Sequence, residues 1–122
     1  MDESGRVATF LPLKPNDLHI LFSLLDGRLH GYAIAKEIGG RTRGLVRLEA
    51  GNLHRTLRKL VRQGLVAPSP DRPDPEEDDE RRRYWALTAL GRAVVAADLR
   101  RMRELVTEAE ARSLIPGRSA SP

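Results

Sequence analysis

The sequence predicts a mainly helical domain that carries one small β-hairpin and ends in a single long helix. Three observations predict this architecture: leucines and isoleucines recur at helical spacing, two short apolar segments flank a proline-rich acidic stretch, and residues 89–114 keep a heptad-like apolar pattern. At 122 residues the chain has the length of one domain with its own core.

The first part of the chain predicts a disordered arm followed by two short helices. Residues 1–10 are mostly small and polar, so we expect no regular structure there. The first helix begins after two prolines, and Asn16 or Asp17 is its expected N-cap. A second helix is expected at about 31–38.

Residues 51–63 predict an amphipathic helix with one apolar face and one basic face. Leu53, Leu57 and Leu60 form the apolar stripe, and Gly64 occupies the C′ position that ends the helix. At about 100° per residue, the opposite face is cationic and contains no acidic residue. This face comprises Asn52, Arg55, Arg58, Lys59 and Arg62. Such a helix suits the major groove of DNA, and the alternative is an ordinary solvated face.

Two short strands follow, at about 65–67 and 81–87, around a wing loop at about 68–80. The loop is rich in proline and acidic residues and cannot belong to a core. Trp85 alternates with its neighbours as a half-buried strand requires. A basic helix followed by two strands around a charged loop predicts a winged helix-turn-helix, which we place at residues 11–88.

Thr88 is the expected N-cap of a long final helix at 89–114, and a disordered tail is expected at 115–122. Apolar residues of this helix step by four, three, four and three positions, the spacing of a coiled-coil seam. With Leu105 beside them, the predicted seam comprises Val95, Leu99, Met102, Leu105, Val106 and Ala109. The chain has no other long helix to cover the seam, so a homodimer is the simplest prediction. The alternative is packing onto the same domain, as we expect for the first two turns.

Charge is distributed unevenly along the chain. The net charge is +4, and residues 69–80 hold seven acidic residues and one arginine, which leaves +10 on the remainder and favours a polyanionic partner. Cysteine is absent, no apolar run is long enough to span a bilayer, and the N-terminus lacks an apolar signal sequence. We therefore expect a cytoplasmic protein without membrane contact.

Enzymatic chemistry has no support in the sequence. We find no nucleophile–base pair, no phosphate-binding glycine loop and no paired carboxylates in an apolar setting. The three histidines are widely spaced and do not make a metal site, and His30 is expected to cap a helix or to pack. We predict no catalytic residue, no metal and no cofactor.

The order of motifs resembles the PadR family of bacterial transcriptional regulators from about Leu11 to Leu105. The resemblance is carried by Leu-His-Gly-Tyr at 29–32, Gly-Asn-Leu-His at 51–54, the segment 60–66, and Asp-Asp-Glu-Arg-Arg-Arg-Tyr-Trp at 78–85. The chain departs from the family where Asn52 and His54 replace threonine and tyrosine, which affects operator preference rather than fold. The resemblance implies a dimeric repressor with a C-terminal dimerisation helix, whose relatives respond to small aromatic or cationic molecules or to no known ligand.

The residues expected to contact double-stranded DNA fall into groups. Arginine pairs with guanine and asparagine with adenine, so base-edge contacts are assigned to Asn52, Arg55, Thr56 and Lys59. Phosphate contacts, which position the protein without specifying sequence, are assigned to Arg43, Arg58 and Arg62. In the wing, strand alternation sends Arg81 and Arg83 to one side and Arg82 to the other, and at least one side is expected to reach a backbone phosphate or a minor groove. The acidic run before the wing arginines is their competing partner. Tyr32 is either a phosphate contact at a helix N-terminus or a core residue, and His54 either contacts DNA or edges the core.

Together these observations predict a sequence-specific DNA-binding transcriptional regulator. We expect a homodimeric repressor whose helix at 51–63 enters the major groove of a pseudo-palindromic operator. The alternative is a winged-helix protein-interaction adaptor without sequence-specific DNA binding. A small-molecule effector at the dimer interface is a further candidate partner. The large side chains that could line its pocket are Phe10, Phe22, Trp85 and Met102, and core packing is the alternative role for each.

Overall fold

The computed structural model describes residues 3–69 and 83–117. In chain order the described elements are α1 (Glu3–Ala8), α2 (Pro15–Ser23), β1 (Leu29–His30), α3 (Gly31–Arg41), α4 (Ala50–Arg62), β2 (Val66–Ser69), β3 (Tyr84–Leu87) and α5 (Ala89–Ala111). The predicted wing loop lies almost entirely outside the described residues, as do Arg81, Arg82 and most of the predicted tail. None of the described helices has the length and apolar character that a membrane crossing demands.

The N-terminal arm contains a helix, which corrects the prediction of disorder for residues 1–10. Helix α1 packs against α5, and Val7 is buried. Phe10 and Leu11 follow at spacings of three and four residues and pack against the core. The sequence prediction missed this stripe because its few apolar residues stand among small polar ones, and the surface that buries them lies at the other end of the chain.

Helix α2 begins earlier than the N-cap that the sequence suggested. Lys14 occupies the N-cap position with extended backbone and no side-chain cap, and Pro15 is the first helical residue. Proline suits this position because its fixed φ matches the first turn and the N–H that it lacks would have no helical partner there. Asn16 and Asp17 therefore lie inside the helix, and the Asp17 carboxylate can pair with another element.

Helices α3 and α4 form a helix-turn-helix that packs against α2. His30 is the N-cap of α3, and its Nδ1 accepts a hydrogen bond from the Ala33 backbone N–H at 3.1 Å, which confirms the expected capping role. Thr42 holds the turn between the two helices. Its hydroxyl donates to the Ile38 carbonyl oxygen at 2.8 Å and accepts from the Val46 N–H at 3.0 Å.

The C-terminal end of α4 confirms the predicted glycine stop. Gly64 has a φ of 81° and follows the C-cap residue Gln63. The Gly64 N–H donates to the Val61 carbonyl oxygen and the Leu65 N–H donates to the Leu60 carbonyl oxygen, both at 3.0 Å. These two bonds make a Schellman motif, which turns the chain from α4 into β2.

The three described strands form an antiparallel sheet in the order β1-β3-β2. The pairing of β2 with β3 confirms the predicted hairpin. Strand β1 is an addition, in which Leu29 pairs with Trp85 and His30 with Tyr84. Two residues cannot show the alternation that predicts a strand, so β1 exists only because β3 offers it an edge.

Helix α5 begins at a close contact with the end of α4. The Thr88 hydroxyl accepts from the Gly91 N–H at 2.9 Å, which confirms the predicted cap, and donates to the Gly64 carbonyl oxygen at 2.7 Å. The Thr88 N–H donates to the Leu65 carbonyl oxygen at 3.1 Å. Gly91 lies so close to this carbonyl group that a Cβ would not fit, and Leu87 Cδ1 would lie only 2.7 Å from such a Cβ. These contacts tie the start of α5 to the end of α4.

One hydrophobic core joins the described helices to the sheet. Its most deeply buried side chains include Ile20, Leu21, Ile34, Ile38, Leu57, Leu60, Leu65 and Val94. Val95 is 1% exposed in the same core, so its place in the predicted dimer seam is wrong. It lies one turn from Gly91, on the face of α5 that meets its own domain. From Leu99 onward most residues of α5 are exposed or half-buried.

Candidate nucleic-acid interface

Three arginines form the outermost line of α4. The opposite face, with Leu53 and Leu57, is no more than 4% exposed in the core. Arg55, Arg58 and Arg62 are three or four residues apart, so they share one face, and all three are exposed. No residue of α4 is acidic. The basic face that the sequence predicted is therefore present.

Lys59 does not belong to this line. Its Nζ lies 2.7 Å from the Asp17 Oδ2 atom, and the side chains of Lys59 and Asp17 are 35% and 11% exposed. Lys59 directly follows Arg58, so at about 100° per residue its side chain is turned away from the arginine line. It lies on the flank of α4 that meets α2. The ion pair holds α4 against α2 and competes with the base-edge contact expected of Lys59, which stays a prediction.

Asn52 and Thr56 lie on the same flank as Lys59, nearer to the start of α4. Asn52 is exposed, and Thr56 is half-buried. The Thr56 hydroxyl donates to the Asn52 carbonyl oxygen at 2.9 Å. Its proton is thereby used within the helix, and Thr56 can offer DNA only an acceptor, whereas the Asn52 amide retains the geometry for a bidentate contact with adenine.

His54 lies on the other flank of α4. It is half-buried, and its ring meets the Trp85 ring edge to face, with centroids 6.2 Å apart and an interplanar angle of 76°. Trp85 itself is 5% exposed. Of the two roles left open for His54, the structure favours the edge of the core. For Trp85 it favours core packing.

Tyr32 is 71% exposed at the second residue of α3, which excludes the core role. Its ring stacks on His30 with centroids 6.3 Å apart. A hydroxyl and backbone N–H groups at a helix start suit a phosphate group. Sequence reasoning missed Lys36, which is exposed one turn later on the same face of α3. The four-residue spacing from Tyr32 was the available signal.

The turn between α3 and α4 carries two more exposed cations. Arg43 has a φ of 53°, a left-handed conformation that is uncommon outside glycine, and Gly44 follows with a φ of 80°. Arg47 Nε donates to the Gly44 carbonyl oxygen at 3.2 Å. Arg43 and Arg47 are both exposed. Arg43 was predicted, and Arg47 was missed because its side chain is positioned by a turn that sequence patterns do not specify.

Arg83 is the one wing arginine within the described residues. It is exposed and lies near the N-terminal ends of α3 and α4, close to Tyr32 and His54. This position places it on the same side of the domain as the other predicted contacts.

Arg41 joins α2 to α3 beneath this surface. Its Nη2 lies 3.2 Å from His19 Nδ1 and donates to the Ser23 hydroxyl oxygen at 3.1 Å, and its Nη1 pairs with Glu37 at 2.9 Å. The guanidinium also covers the Phe22 ring, at 4.7 Å from the centroid. Burial, and secondly the charge of Arg41, lower the pKa of His19. This cluster ties α3 to α2.

A helix-turn-helix with an arginine-lined second helix, followed by an antiparallel pair of strands and a long helix, defines a winged helix-turn-helix protein. The family model of the transcriptional regulator PadR-like family matches residues 20–97. The chain belongs to this family of transcriptional regulators.

Individual relatives agree with this assignment. The transcriptional regulator Rv3488 of Mycobacterium tuberculosis is 33% identical to this chain over 91 residues, which are 75% of this chain and 78% of that protein. A PadR family regulator from Clostridium difficile R20291 has a similar structure, with a TM-score of 0.62 and 23% identity over 81% of this chain and 97% of the other. Bacillus subtilis PadR, solved in complex with operator DNA, has a TM-score of 0.59 and 19% identity over 70% of this chain and 48% of its own. The two structures establish a shared fold.

Proposed function

We propose that this regulator is a homodimeric repressor that places α4 of each subunit in the major groove of a pseudo-palindromic operator. The observation that carries the proposal is the exposed line of Arg55, Arg58 and Arg62 on a helix whose opposite face is held in the core. Each guanidinium suits a bidentate contact with guanine or a phosphate contact. The shared fold with Bacillus subtilis PadR, which was solved with operator DNA, supports this docking.

The proposed contacts follow from exposure and position. Asn52 and Arg55, nearest the start of α4, read base edges, and Thr56 offers an acceptor. Phosphates are contacted by Tyr32, Lys36, Arg43, Arg47, Arg58, Arg62 and Arg83, and the proposal extends to Arg81 and Arg82. His54 supports α4 from the core edge and makes no direct contact.

The second half of α5 supports the homodimer. Leu99, Leu105 and Val106 are 36%, 64% and 47% exposed, although all three are large apolar side chains. Met102 and Ala109 lie half-buried beside them. This stretch of helix continues for about 20 Å at 1.5 Å per residue. Pairing it with a second copy covers the apolar side chains and brings two α4 helices to half-sites about 34–36 Å apart.

A binding selection from random duplexes tests the proposal, because it finds the operator as well as measuring affinity for it. Duplexes with a randomised centre are selected for binding to the purified protein in a buffer of physiological pH and salt concentration. The affinities of the enriched duplex and of a scrambled duplex are then compared by fluorescence anisotropy over a series of salt concentrations. We expect enrichment of two inverted half-sites one helical turn apart. The logarithm of affinity should fall with the logarithm of salt by about 0.9 per phosphate contact.

Two variants separate the recognition surface from general charge. Arg55→Ala should reduce discrimination between the two duplexes by about 1–3 kcal/mol, because a bidentate base contact is lost. Arg103→Ala removes another exposed cation, from α5, and should leave discrimination unchanged. Absence of binding at low salt contradicts the proposal and favours a protein-interaction adaptor.

The proposed effector site at the dimer interface depends on fewer residues than the sequence suggested. Met102 lies on the seam, whereas Trp85 belongs to the domain core and the Phe22 ring lies beneath Arg41. Phe10 packs against the core next to α1. An effector at this interface would act by changing the angle between the two subunits.

A further inference from the structure

A cavity of about 520 Å³ opens between the N-terminal ends of α3 and α4 and strand β3. Small-molecule sites are typically about 300–1,000 Å³ in volume. Leu53, Leu57 and Trp85 line this cavity, and each is no more than 5% exposed. Tyr32 and His54 also line it. None of its described lining residues belongs to α5, so the cavity is separate from the dimer seam.

The charge of the cavity selects the class of ligand. Arg83 is exposed and is the only arginine or lysine among the described lining residues, which include no carboxylate. Leu48 lines the cavity together with Leu53 and Leu57, and so do the rings of His30, Tyr32, His54 and Trp85. An apolar wall next to one cation matches a flexible apolar chain that ends in an anionic group, because the guanidinium offers charge-assisted hydrogen bonds.

We propose that this cavity binds an aliphatic carboxylate of medium chain length, with the carboxylate on Arg83 and the chain against the leucines and Trp85. The regulatory part of the proposal rests on the proposed DNA-binding function. Helix α4 forms one wall of the cavity and carries Arg55 and Arg58 on its outer face. A bound carboxylate also neutralises Arg83 on the DNA side, so occupancy lowers operator affinity.

The single tryptophan of the sequence reports occupancy without DNA, because Trp85 lines the cavity. Butanoate, hexanoate and octanoate are titrated into the full-length protein while its intrinsic fluorescence is followed. We expect saturable changes, with the dissociation constant falling about fourfold for each added methylene group. No saturable change with any of the three, or equal dissociation constants for all three, overturns the proposal.

Variants locate the site. Arg83→Gln should weaken octanoate binding about tenfold and leave binding of the neutral octanamide unchanged. Arg100→Gln, an exposed cation of α5, is the matched control and should bind octanoate as the wild type does. Ala50→Leu adds a side chain to the cavity from the exposed first residue of α4 and should abolish binding, with circular dichroism as the check on folding. Wild-type octanoate binding by a folded Ala50→Leu variant overturns the proposal.

A second readout separates the cavity from the DNA function. Octanoate at saturation should weaken binding to the selected operator about fivefold, measured by anisotropy. Unchanged operator affinity with octanoate bound overturns the regulatory part and leaves the DNA-binding function intact. Failure to bind DNA in the absence of octanoate contradicts the proposed function. The fluorescence titration then still tests whether the cavity binds a carboxylate.

Discussion

Replacing Asp17 with asparagine tests how α4 is held on α2. The Lys59 Nζ and Asp17 Oδ2 atoms lie 2.7 Å apart, with the two side chains 35% and 11% exposed. An exposed ion pair contributes about 0–1 kcal/mol. Removing one partner of a fully buried pair costs about 3–5 kcal/mol. Because the lysine is about a third exposed and stays hydrated, we expect Asp17→Asn to lower the free energy of unfolding by about 1–2 kcal/mol.

Urea unfolding followed by tryptophan fluorescence measures this change. A double-mutant cycle with Lys59→Met isolates the coupling between the two side chains from the effect of each substitution alone. Glu37→Gln is the control, because it removes a 45% exposed carboxylate from an i,i+4 pair with Arg41 and should cost no more than about 0.5 kcal/mol. A coupling energy near zero between residues 17 and 59 would refute the reasoning that this pair holds α4.

The same substitution has a consequence for DNA binding. Asp17→Asn leaves the Lys59 ammonium without its counter-charge at the edge of the recognition surface. We expect the salt dependence of non-specific DNA binding to steepen by as much as one phosphate contact, a slope change of about 0.9. An unchanged slope would show that Lys59 stays on the α2 flank even when it is unpaired.

Three further predictions concern packing, pH and assembly. Gly91→Ala should lower the free energy of unfolding in urea by at least about 1–3 kcal/mol, because the added methyl group meets the Leu65 carbonyl oxygen. Gly39→Ala, in open space on α3, should raise it by up to about 1 kcal/mol. Equal effects of the two substitutions would contradict the close approach of Gly91 to Leu65. The pKa of His19 is lowered from 6.5 by burial and by Arg41, so the unfolded chain binds the proton more tightly. Stability should therefore be full above pH 6.5 and decline as the pH falls below it, and His19→Gln should remove that part of the pH profile of the unfolding free energy. Val106→Glu should convert the proposed dimer to a monomer in light scattering, whereas Thr107→Glu, on the exposed opposite side of α5, should not. A dimeric Val106→Glu protein argues against the seam.

The sequence predicted those elements whose signals are local. The leucine stripe and Gly64 define α4 and its end without reference to any other segment. Thr88 likewise caps α5 with a bond to Gly91, three residues later. The exposed arginine line follows from the same helical spacing, which explains why the centre of the candidate interface was predictable.

The contacts that the sequence did not predict join residues that are distant in the chain. Lys59 pairs with Asp17, 42 residues earlier, and no pattern within α4 distinguishes it from its arginine neighbours. Val7 is buried because α1 meets α5, and Val95 is buried because that part of α5 lies on its own domain. For Lys59 and Val95 the spacing predicted a helix face correctly, and only the three-dimensional structure shows what that face contacts. For Val7 the sequence predicted no helix at all.

The Thr88 bridge has a mechanical consequence. The Thr88 side chain bonds the Gly64 carbonyl oxygen, just after α4, to the first turn of α5, and Gly91 lies against the neighbouring Leu65 carbonyl group, so the two helices are tied together at this point. In a dimer joined through α5, the α4 and α5 helices of each subunit would then move together as one rigid unit, with the bend between them at Gly64. A small rotation at the seam would then displace the start of α4, where Asn52 lies. In the proposed dimer, the geometry of the seam would therefore set the spacing between half-sites, far from the residues proposed to contact bases.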